Sequence, residues 1–379
     1  MTRFPILDLC ARIEGHEIQH RLLREHCRTF SDWKALLIRA EREGMSPLLR
    51  KHLTESESTY PISVRRSLDV LSKRHQHEAD ARAAILQEIL QLFRKNDLTP
   101  LVIKGAALCY TTYPDIALRP MRDVDLLFRR SEVDHAQALM REAGFTQSRS
   151  PIPPNHYHLP ALTRKIENID ICFELHRGLY PDCPPYYPEV DFEGLLQSAQ
   201  SFCVGDEDAL TFNKEETLQY IFQHAFRAPL TYESYKLINV ADVIGFTEKN
   251  SSVLDIERVA EHDAPLYDAL PLLHHISPWD LKKFSTGFGP VDRFQKMTPA
   301  PYTGWPQQRL QDFKAQGKPL HHIIRSTFLP SRWWTGIYYG AVTGYKRLFC
   351  LLWKHPRHVL WWVKLLSSIN REHAPLVQD

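Results

Sequence analysis

Residues 119–128 read RPMRDVDLLF and place two carboxylates, Asp123 and Asp125, at the start of an apolar segment. The apolar residues predict a strand from Val124 to Phe128. Because side chains two positions apart in a strand point to the same face, both carboxylates are expected to face one spot. Two like charges about 4 Å apart repel by roughly 1 kcal/mol in water and by more in a drier site. The pair therefore favours a cation between them, and a divalent metal ion is the first candidate.

A second short strand is predicted before this segment, over residues 100–103, and Lys104 and Gly105 then begin a helix. Free N–H groups and the helix dipole at such a position favour phosphate, and the lysine adds a point charge. Arg119 and Arg122 flank the aspartates and would also bind phosphate oxygens. The alternative interpretation is a solvated helix-start lysine and two ordinary surface arginines.

A third acid is expected from the strand predicted over residues 168–176. Its alternation places Asp170, Glu174 and His176 on one face and apolar residues on the other. Glu174 is favoured because it lies near the end of the strand, where the active sites of open sheets lie. Asp170 remains the alternative acid, and His176 would either orient an acid or an acceptor or be structural.

Three carboxylates on neighbouring strands can hold one or two Mg²⁺ (or Mn²⁺) ions, which neutralise phosphates and lower the pKa of an attacking hydroxyl. The predicted reaction is nucleotidyl transfer from a nucleoside triphosphate (NTP) with release of pyrophosphate. The residues expected to bind the metal and act in catalysis are Asp123, Asp125 and Glu174. The residues expected to bind the NTP are Lys104, Gly105, Arg119 and Arg122.

Several short motifs together resemble one known family: KGAA at 104–107, YP at 113–114, LRPMRDVDLL at 118–127, AGF at 143–145 and FELH at 173–176. They are similar to the uncharacterised bacterial nucleotidyltransferase family of the polymerase-beta-like superfamily, over about residues 30 to 280. The resemblance implies a nucleotidyltransferase fold in which Asp123, Asp125 and a third acid bind metal.

Three features depart from the patterns of these proteins. Lys104 and Gly105 replace the Gly-Ser of the wider superfamily, and the distance from Gly105 to Asp123 is 18 positions (123 minus 105). Arg122 replaces a glycine of the subfamily pattern and puts a bulky cation beside the expected metal site.

The acceptor would be a small hydroxyl compound, a protein side chain or a tRNA end. The alternative function is a catalytically inactive nucleotide-binding or scaffold protein with the same fold.

The sequence pattern predicts an α+β fold with a small mixed-sheet nucleotidyltransferase core embedded in helical segments. The predicted divisions are an N-terminal helical segment at 1–97, the α/β core at 98–200 and a C-terminal helical region at 201–379. One helix is expected from about 75 to 95. Ser131, with an acid three residues later, predicts a capping box at the start of another helix.

The composition describes a globular chain of 379 residues with a formal net charge of +2, which gives nucleic-acid binding no support. The seven cysteines form no CxxC pair and predict reduced thiols in a cytoplasmic protein. The N-terminus lacks the apolar core of a signal peptide, and no apolar stretch approaches the ~20 residues of a membrane span. Two HxH pairs, at 75/77 and 156/158, are interpreted as solvated or hydrogen-bonded histidines.

The last 50 residues contain five of the eight tryptophans, interleaved with arginine and lysine. The favoured interpretation is an amphipathic helix packed on the domain with snorkelling basic side chains. Peripheral contact with a membrane surface comes second, and a nucleic-acid groove with aromatic stacking comes third. The chain is therefore expected to be cytoplasmic, with membrane association through this segment as an additional prediction.

Overall fold

The computed structural model divides into two compact units, Met1–Thr217 and Leu218–Asp379. It describes residues 5–149, 152, 156–180, 190–227, 235–284, 297–300, 302, 304–305, 313, 315–340 and 343–372, the last eight by backbone alone. The first unit contains five N-terminal helices and a seven-stranded sheet.

The N-terminal helices are α1 (Pro5–Leu9), α2 (Glu17–Thr29), α3 (Trp33–Arg42), α4 (Ser46–Glu55) and α5 (Ile62–Arg94). The prediction that α5 begins at about residue 75 is wrong, because the helix has 33 residues and begins directly after Pro61. Val64 and Leu68, one turn apart near the start of α5, are both buried. The buried face of the helix therefore extends to its first turns. Proline is tolerated there, because the first N–H groups of a helix have no partner within it.

The strands are β1 (Leu101–Ile103), β2 (Asp123–Leu127), β3 (Thr146–Gln147), β4 (Leu162–Ile166), β5 (Ile169–His176), β6 (Gln200–Val204) and β7 (Glu207–Thr211). Their order in the sheet is β3-β4-β5-β2-β1-β7-β6. β2 pairs with β5, and β1 with β7, in parallel, whereas the other neighbours are antiparallel. The predicted α+β class with a mixed sheet is confirmed.

The register of the central strands places the acids of the sequence motif side by side. Asp125 lies opposite Glu174 of β5 and opposite Ile103 of β1. Asp123 lies opposite Cys172. Because β2 and β5 are parallel neighbours, side chains of paired residues point to the same face of the sheet.

Two hairpins flank the central strands of the sheet, and the sequence analysis did not predict them. β4 and β5 are joined by Glu167 and Asn168, both with positive φ (47° and 69°), as a tight two-residue turn requires. β6 and β7 are joined at Gly205, whose φ is 58°. The sheet therefore continues past residue 200, where the predicted core ended. β6 is an edge strand with mostly half-exposed side chains, so its sequence lacks a strong apolar pattern.

The remaining helices of this unit are α6 (Lys104–Thr111), α7 (Val133–Glu142) and α8 (Phe192–Gln197), with a 3₁₀ turn at Ile116–Leu118. The capping box predicted at Ser131 is wrong, since the N-cap of α7 is Glu132 and no side chain caps it. The helix begins two residues after Ser131, which puts that hydroxyl outside the capping position. The Glu132 carboxylate instead accepts a hydrogen bond from Arg129.

The second unit is helical in its described residues. α9 (Lys214–Phe226) crosses the division between the units, and α10 (Leu237–Asn250) is buried on almost every side. The others are α11 (Ile256–His262), α12 (Ala264–Ala269), a 3₁₀ helix (Leu270–His275), α13 (Leu320–Phe328), α14 (Arg332–Tyr339), α15 (Gly344–Phe349), a π-helical segment (Cys350–Lys354) and α16 (His355–Glu372).

The tryptophans of the C-terminal segment fall into two groups. Trp333, Trp334 and Trp362 are buried, and the last two join an aromatic cluster with Tyr302 and tyrosines of α14. Trp353 is 52% exposed. The favoured packing interpretation therefore describes the buried tryptophans and leaves Trp353 at the surface. None of the described helices is long and apolar enough to cross a membrane.

Candidate active site

Asp125 is the centre of a group of charged side chains on β2 and β5. It is only 3% exposed, and its Oδ1 accepts hydrogen bonds from Lys104 Nζ and from His176 Nε2, each at 2.8 Å. Burial alone would raise the pKa of Asp125, but Lys104 and His176 outweigh it and hold that pKa well below its usual range. Asp125 is therefore a buried, ionised carboxylate bound by two donors.

The two other acids, Asp123 and Glu174, lie beside Asp125, but their pKa values are raised and not lowered. Among the described residues, the side-chain carboxylates of Asp123 and Glu174 have no hydrogen-bond partner, although both residues pair with neighbouring strands in the sheet. Burial and the charge of Asp125 raise the pKa of Asp123. Burial, with the charges of Asp125 and Asp123, raises the pKa of Glu174 to about 7. Three carboxylates thus share one region, and their mutual repulsion is a cost that a bound cation would relieve.

Lys104 reaches this region from the first residue of α6. Its φ is +54°, a left-handed conformation that costs a non-glycine residue about 1 kcal/mol or more. The absence of a side chain at Gly105 leaves space for Arg119, because a Cβ there would lie 3.0 Å from Cζ of Arg119 and the guanidinium would have to shift. Arg119 is nearly buried and donates from Nη1 to the carbonyl of Pro120 at 2.8 Å. Gly105 therefore leaves room for a second cation beside the acids.

Two residues named from the sequence lie away from this group. Arg122 is exposed and forms no hydrogen bond or ion pair with the described residues. Asp170 is exposed and pairs with Lys165 across the β4–β5 hairpin, before the point where β2 begins opposite β5. The structure therefore brings Glu174, and not Asp170, to the two aspartates.

Two histidines lie beside the acids: His176, for which the sequence leaves a positioning and a structural role open, and His158, which the sequence analysis interprets as a solvated or hydrogen-bonded histidine. His176 is fully buried, and its Nε2 lies 3.8 Å from Oε2 of Glu174. His158 Nε2 lies 3.9 Å from the same oxygen, while its Nδ1 lies 2.8 Å from the carbonyl of Leu159. Burial and the charge of Lys104 lower the pKa of both imidazoles. Glu174 thus lies between two rings that burial keeps neutral.

The sequence carried a signal for one of these histidines. His176 follows Glu174 by two positions in an alternating strand, so it had to share that face. His158 comes from a loop that meets β5 through a single bridge to His176. That contact depends on the path of the loop, and no periodicity in the sequence reports it.

The donor atoms fit a divalent cation. One ligand atom each from Asp125, Glu174 and His176 lies within 4.8 Å of the others, and Asp123 is two positions from Asp125. Carboxylate oxygens suit Mg²⁺ and Mn²⁺, and an imidazole nitrogen is also accepted by Mn²⁺ and other transition metals.

A family model described as an uncharacterised nucleotidyltransferase matches residues 30–274. The chain belongs to this nucleotidyltransferase family. The match covers all seven strands and the whole group of acids around Asp125. No curated protein and no solved structure matches the chain. The predicted family and the predicted enzyme class, a transferase of nucleotidyl groups, are both confirmed.

Proposed function

We propose that this nucleotidyltransferase moves a nucleoside monophosphate from an NTP to a hydroxyl acceptor in a metal-dependent reaction. The acceptor oxygen attacks the α-phosphorus, the bond from that phosphorus to the bridging oxygen breaks, and pyrophosphate leaves with the electron pair. The observation that supports this proposal is the pairing of Asp125 with Glu174 across parallel strands, with Asp123 beside them. Three acids at one place, with two cations next to them, suit a metal–triphosphate complex.

The residues proposed to hold the metal ion are Asp123, Asp125 and Glu174, and His176 would position Asp125 through its Nε2–H. When bound, Mg²⁺ or Mn²⁺ would neutralise phosphate charge and lower the pKa of the attacking hydroxyl. Lys104 and Arg119 are proposed to hold the triphosphate, and Gly105 makes room for Arg119. Arg122 is exposed and would meet the nucleotide only at the edge of the site.

Glu174 is the proposed general base. A group with a pKa near the working pH is best suited to take a proton, and burial beside two aspartates raises the pKa of Glu174 to about 7. Its carboxylate has no hydrogen-bond donor among the described residues, which leaves its oxygens to accept the proton of the acceptor hydroxyl. His158 and His176 lie less than 4 Å away and would hold the Glu174 carboxylate in position, and Glu174 would then release the proton to solvent.

A transfer assay with labelled NTP tests the proposal. Wild type, Asp123→Ala/Asp125→Ala and the matched control Asp170→Ala are incubated with each NTP, a divalent metal and a panel of acceptors. We expect transfer by wild type and by Asp170→Ala, and none by the double variant. Equal transfer by all three would place the reaction elsewhere. The inactive alternative predicts NTP-dependent thermal stabilisation without turnover over the whole panel.

The C-terminal segment also supports a proposal about a partner. A stripe of exposed apolar residues lies at helical spacing along α15, the π segment and α16: Tyr345, Leu348, Phe349, Leu352, Trp353 and Leu360. Residues 344–364 include five lysines and arginines and no acid. Arg357 stacks on Trp353 with Cζ 3.7 Å from the ring centroid. We infer that this stripe binds an anionic membrane surface, because apolar, tryptophan and basic side chains together suit that interface.

Vesicle co-sedimentation tests this partner. Vesicles that contain phosphatidylglycerol should retain the protein, whereas pure phosphatidylcholine vesicles should not. Leu352→Glu/Trp353→Glu should release it. Ile62→Glu is the matched control, because Ile62 is an exposed apolar residue on α5. Retention of the double variant at the wild-type level would overturn this proposal without affecting the reaction at Asp125.

A further inference from the structure

A second group of potential metal ligands lies among the N-terminal helices. His52 and Glu55 are one turn apart on α4 and so share a face of that helix. His20 approaches them from α2. One ligand atom of each residue lies within 4.8 Å of those of the other two. None of the three belongs to the strands that carry the nucleotide site.

His52 holds its free nitrogen toward this group. Its side chain is fully buried, and Nε2 lies 2.9 Å from the carbonyl of Arg12. Because a carbonyl only accepts, Nε2 carries the proton and Nδ1 carries the lone pair. Nδ1 is 3.8 Å from Oε2 of Glu55 and has no hydrogen-bond partner among the described residues. Buried polar atoms without a partner are rare in folded proteins, so this nitrogen points to a ligand.

His20 repeats the same feature from the other helix. Its Nε2 is also buried without a hydrogen-bond partner in the described part of the chain. A Cβ on Gly15 would lie 2.1 Å from this atom, so the ring packs directly against Gly15 and a larger residue there would displace it. Burial lowers the pKa of His20 and brings that of His52 to about 3. Both rings are therefore neutral, which is the form that binds metals.

Glu55 supplies the negative charge. Lys51 binds its carboxylate, with Nζ 2.9 Å from Oε1, and the same ammonium lies 3.3 Å from Oε2 of Glu14. Lys51 therefore has a second acid to bind when Glu55 turns to another cation. The Glu55 side chain is 39% exposed, so a cation from solvent can reach its carboxylate.

We propose that His20, His52 and Glu55 form a site for a transition-metal dication, with Zn²⁺ as the preferred ion. Two imidazole nitrogens and one carboxylate oxygen are a donor set found in zinc proteins, and a fourth tetrahedral position remains for solvent. Zn–N and Zn–O bonds of about 2.1 Å place ligand atoms about 3.4 Å apart, which small side-chain rotations would reach. The imidazoles disfavour Mg²⁺ and Ca²⁺, which take oxygen ligands. The bound ion would join α2 to α4.

Zn²⁺ calorimetry and Co²⁺ absorption on the full chain test the site. An Asp125→Ala/Glu174→Ala background removes two donors of the nucleotide site, so that only the helical site reports. We expect one equivalent of Zn²⁺, visible absorption bands typical of tetrahedral Co²⁺, and a rise in Tm with added Zn²⁺. His20→Ala and Glu55→Gln should each weaken Zn²⁺ binding at least tenfold, because each removes one of three ligands.

The matched control is His26→Ala, which removes an exposed histidine from the same helix, α2, and should leave Zn²⁺ binding unchanged. Glu55→Gln keeps the size of the side chain and guards against loss of the fold. No Zn²⁺ binding in the background protein, or equal affinity in His20→Ala and His26→Ala, would overturn the proposal. Nucleotidyl transfer in the wild-type background should survive His20→Ala, so failure of this site is distinguishable from failure of the proposed reaction.

Discussion

The acids around Asp125 and the cluster of His20, His52 and Glu55 both combine imidazoles with carboxylates, yet their electrostatics are opposite. At Asp125, three acids meet, and the central one is bound by an ammonium and an imidazole N–H. At His52, two neutral imidazoles with unpartnered ring nitrogens lie beside a single carboxylate, so all three groups can offer lone pairs to a metal ion. The first arrangement suits a hard cation and phosphates, and the second suits a softer metal. The excess of acids around Asp125 therefore fits the proposed reaction site, and the excess of imidazoles at His52 fits the proposed metal site between two helices.

The largest expected effect comes from Asp125→Asn. The variant keeps the shape of the side chain but removes the charge that Lys104 and His176 share, so transfer should fall by at least about 10³-fold, the loss typical of an essential charged group. Removing one partner of a buried ion pair also costs about 3–5 kcal/mol of stability. Labelled transfer and urea unfolding measure the two effects. If Asp125→Asn transferred nucleotide within tenfold of the wild-type rate, the acids around Asp125 would not be the reaction site.

Lys104→Met should lower transfer by about 10²-fold, since it removes a cation proposed to meet the triphosphate and leaves Asp125 without its ammonium. The fall should appear mainly in kcat/KM for the NTP. Lys51→Met is the matched control at the other cluster, because Lys51 also binds an acid there. It should leave transfer unchanged. Similar losses in both variants would show that the effect is one of stability rather than of nucleotide binding.

Glu174 predicts a pH dependence of stability in metal-free protein. Its folded pKa of about 7 lies above the usual value for glutamate, so the folded state holds the proton more tightly than the unfolded state. The free energy of unfolding should therefore fall by about 2 kcal/mol as the pH rises from 4.5 to 7. Glu174→Gln should abolish this part of the profile. Urea unfolding in EDTA at several pH values measures it, and an unchanged slope in Glu174→Gln would contradict the assignment.

Asp125 contributes to the same profile with the opposite sign. Its folded pKa is held below the usual value for aspartate, so its stabilising contribution is present above that usual value and is lost at lower pH. The contribution of Asp125 changes below about pH 4, and that of Glu174 changes between about pH 4.5 and 7. Glu174→Gln therefore removes only the second contribution.

The smallest effect is expected from His158→Gln. His158 Nε2 lies 3.9 Å from Glu174 Oε2 and 2.8 Å from His156 Nε2, and His158 is proposed as a positioning residue for Glu174. We expect a fall in kcat of about tenfold, less than the roughly 10²–10⁴-fold contribution of a direct acid–base group, with a shift of the pH–rate profile and little change in KM for the NTP. His77→Gln is the control, since that histidine is exposed on α5. An unshifted profile would assign His158 to structure alone.

The central part of the site was predictable because it is local in sequence. A DxD pair at a strand and an alternating strand with Glu174 fix which side chains share a face before any fold is known. The predictions that name Asp123, Asp125, Glu174, Lys104 and Arg119 as site residues remain proposals, but the fold does bring these five together. Arg122 lies in the bend before β2, which begins at Asp123, and its side chain is exposed.

The remainder depended on long-range contacts. His158 reaches Glu174 through the path of a loop, and His20 meets His52 across 32 positions of chain that carry no common period. The β6–β7 hairpin is an edge element with few apolar residues, so its alternation is weak. In each case the deciding interaction is tertiary, and local pattern does not encode it.

The most direct test of the account compares α-labelled with γ-labelled NTP in the same transfer assay, with Mg²⁺ or Mn²⁺ and with EDTA. Nucleotidyl transfer at the acids around Asp125 predicts that the acceptor gains label from the α-phosphate alone, that pyrophosphate is released in equal amount, and that EDTA or Asp125→Asn stops both. Label from the γ-phosphate on the acceptor, or metal-independent transfer that survives in Asp125→Asn, would contradict it.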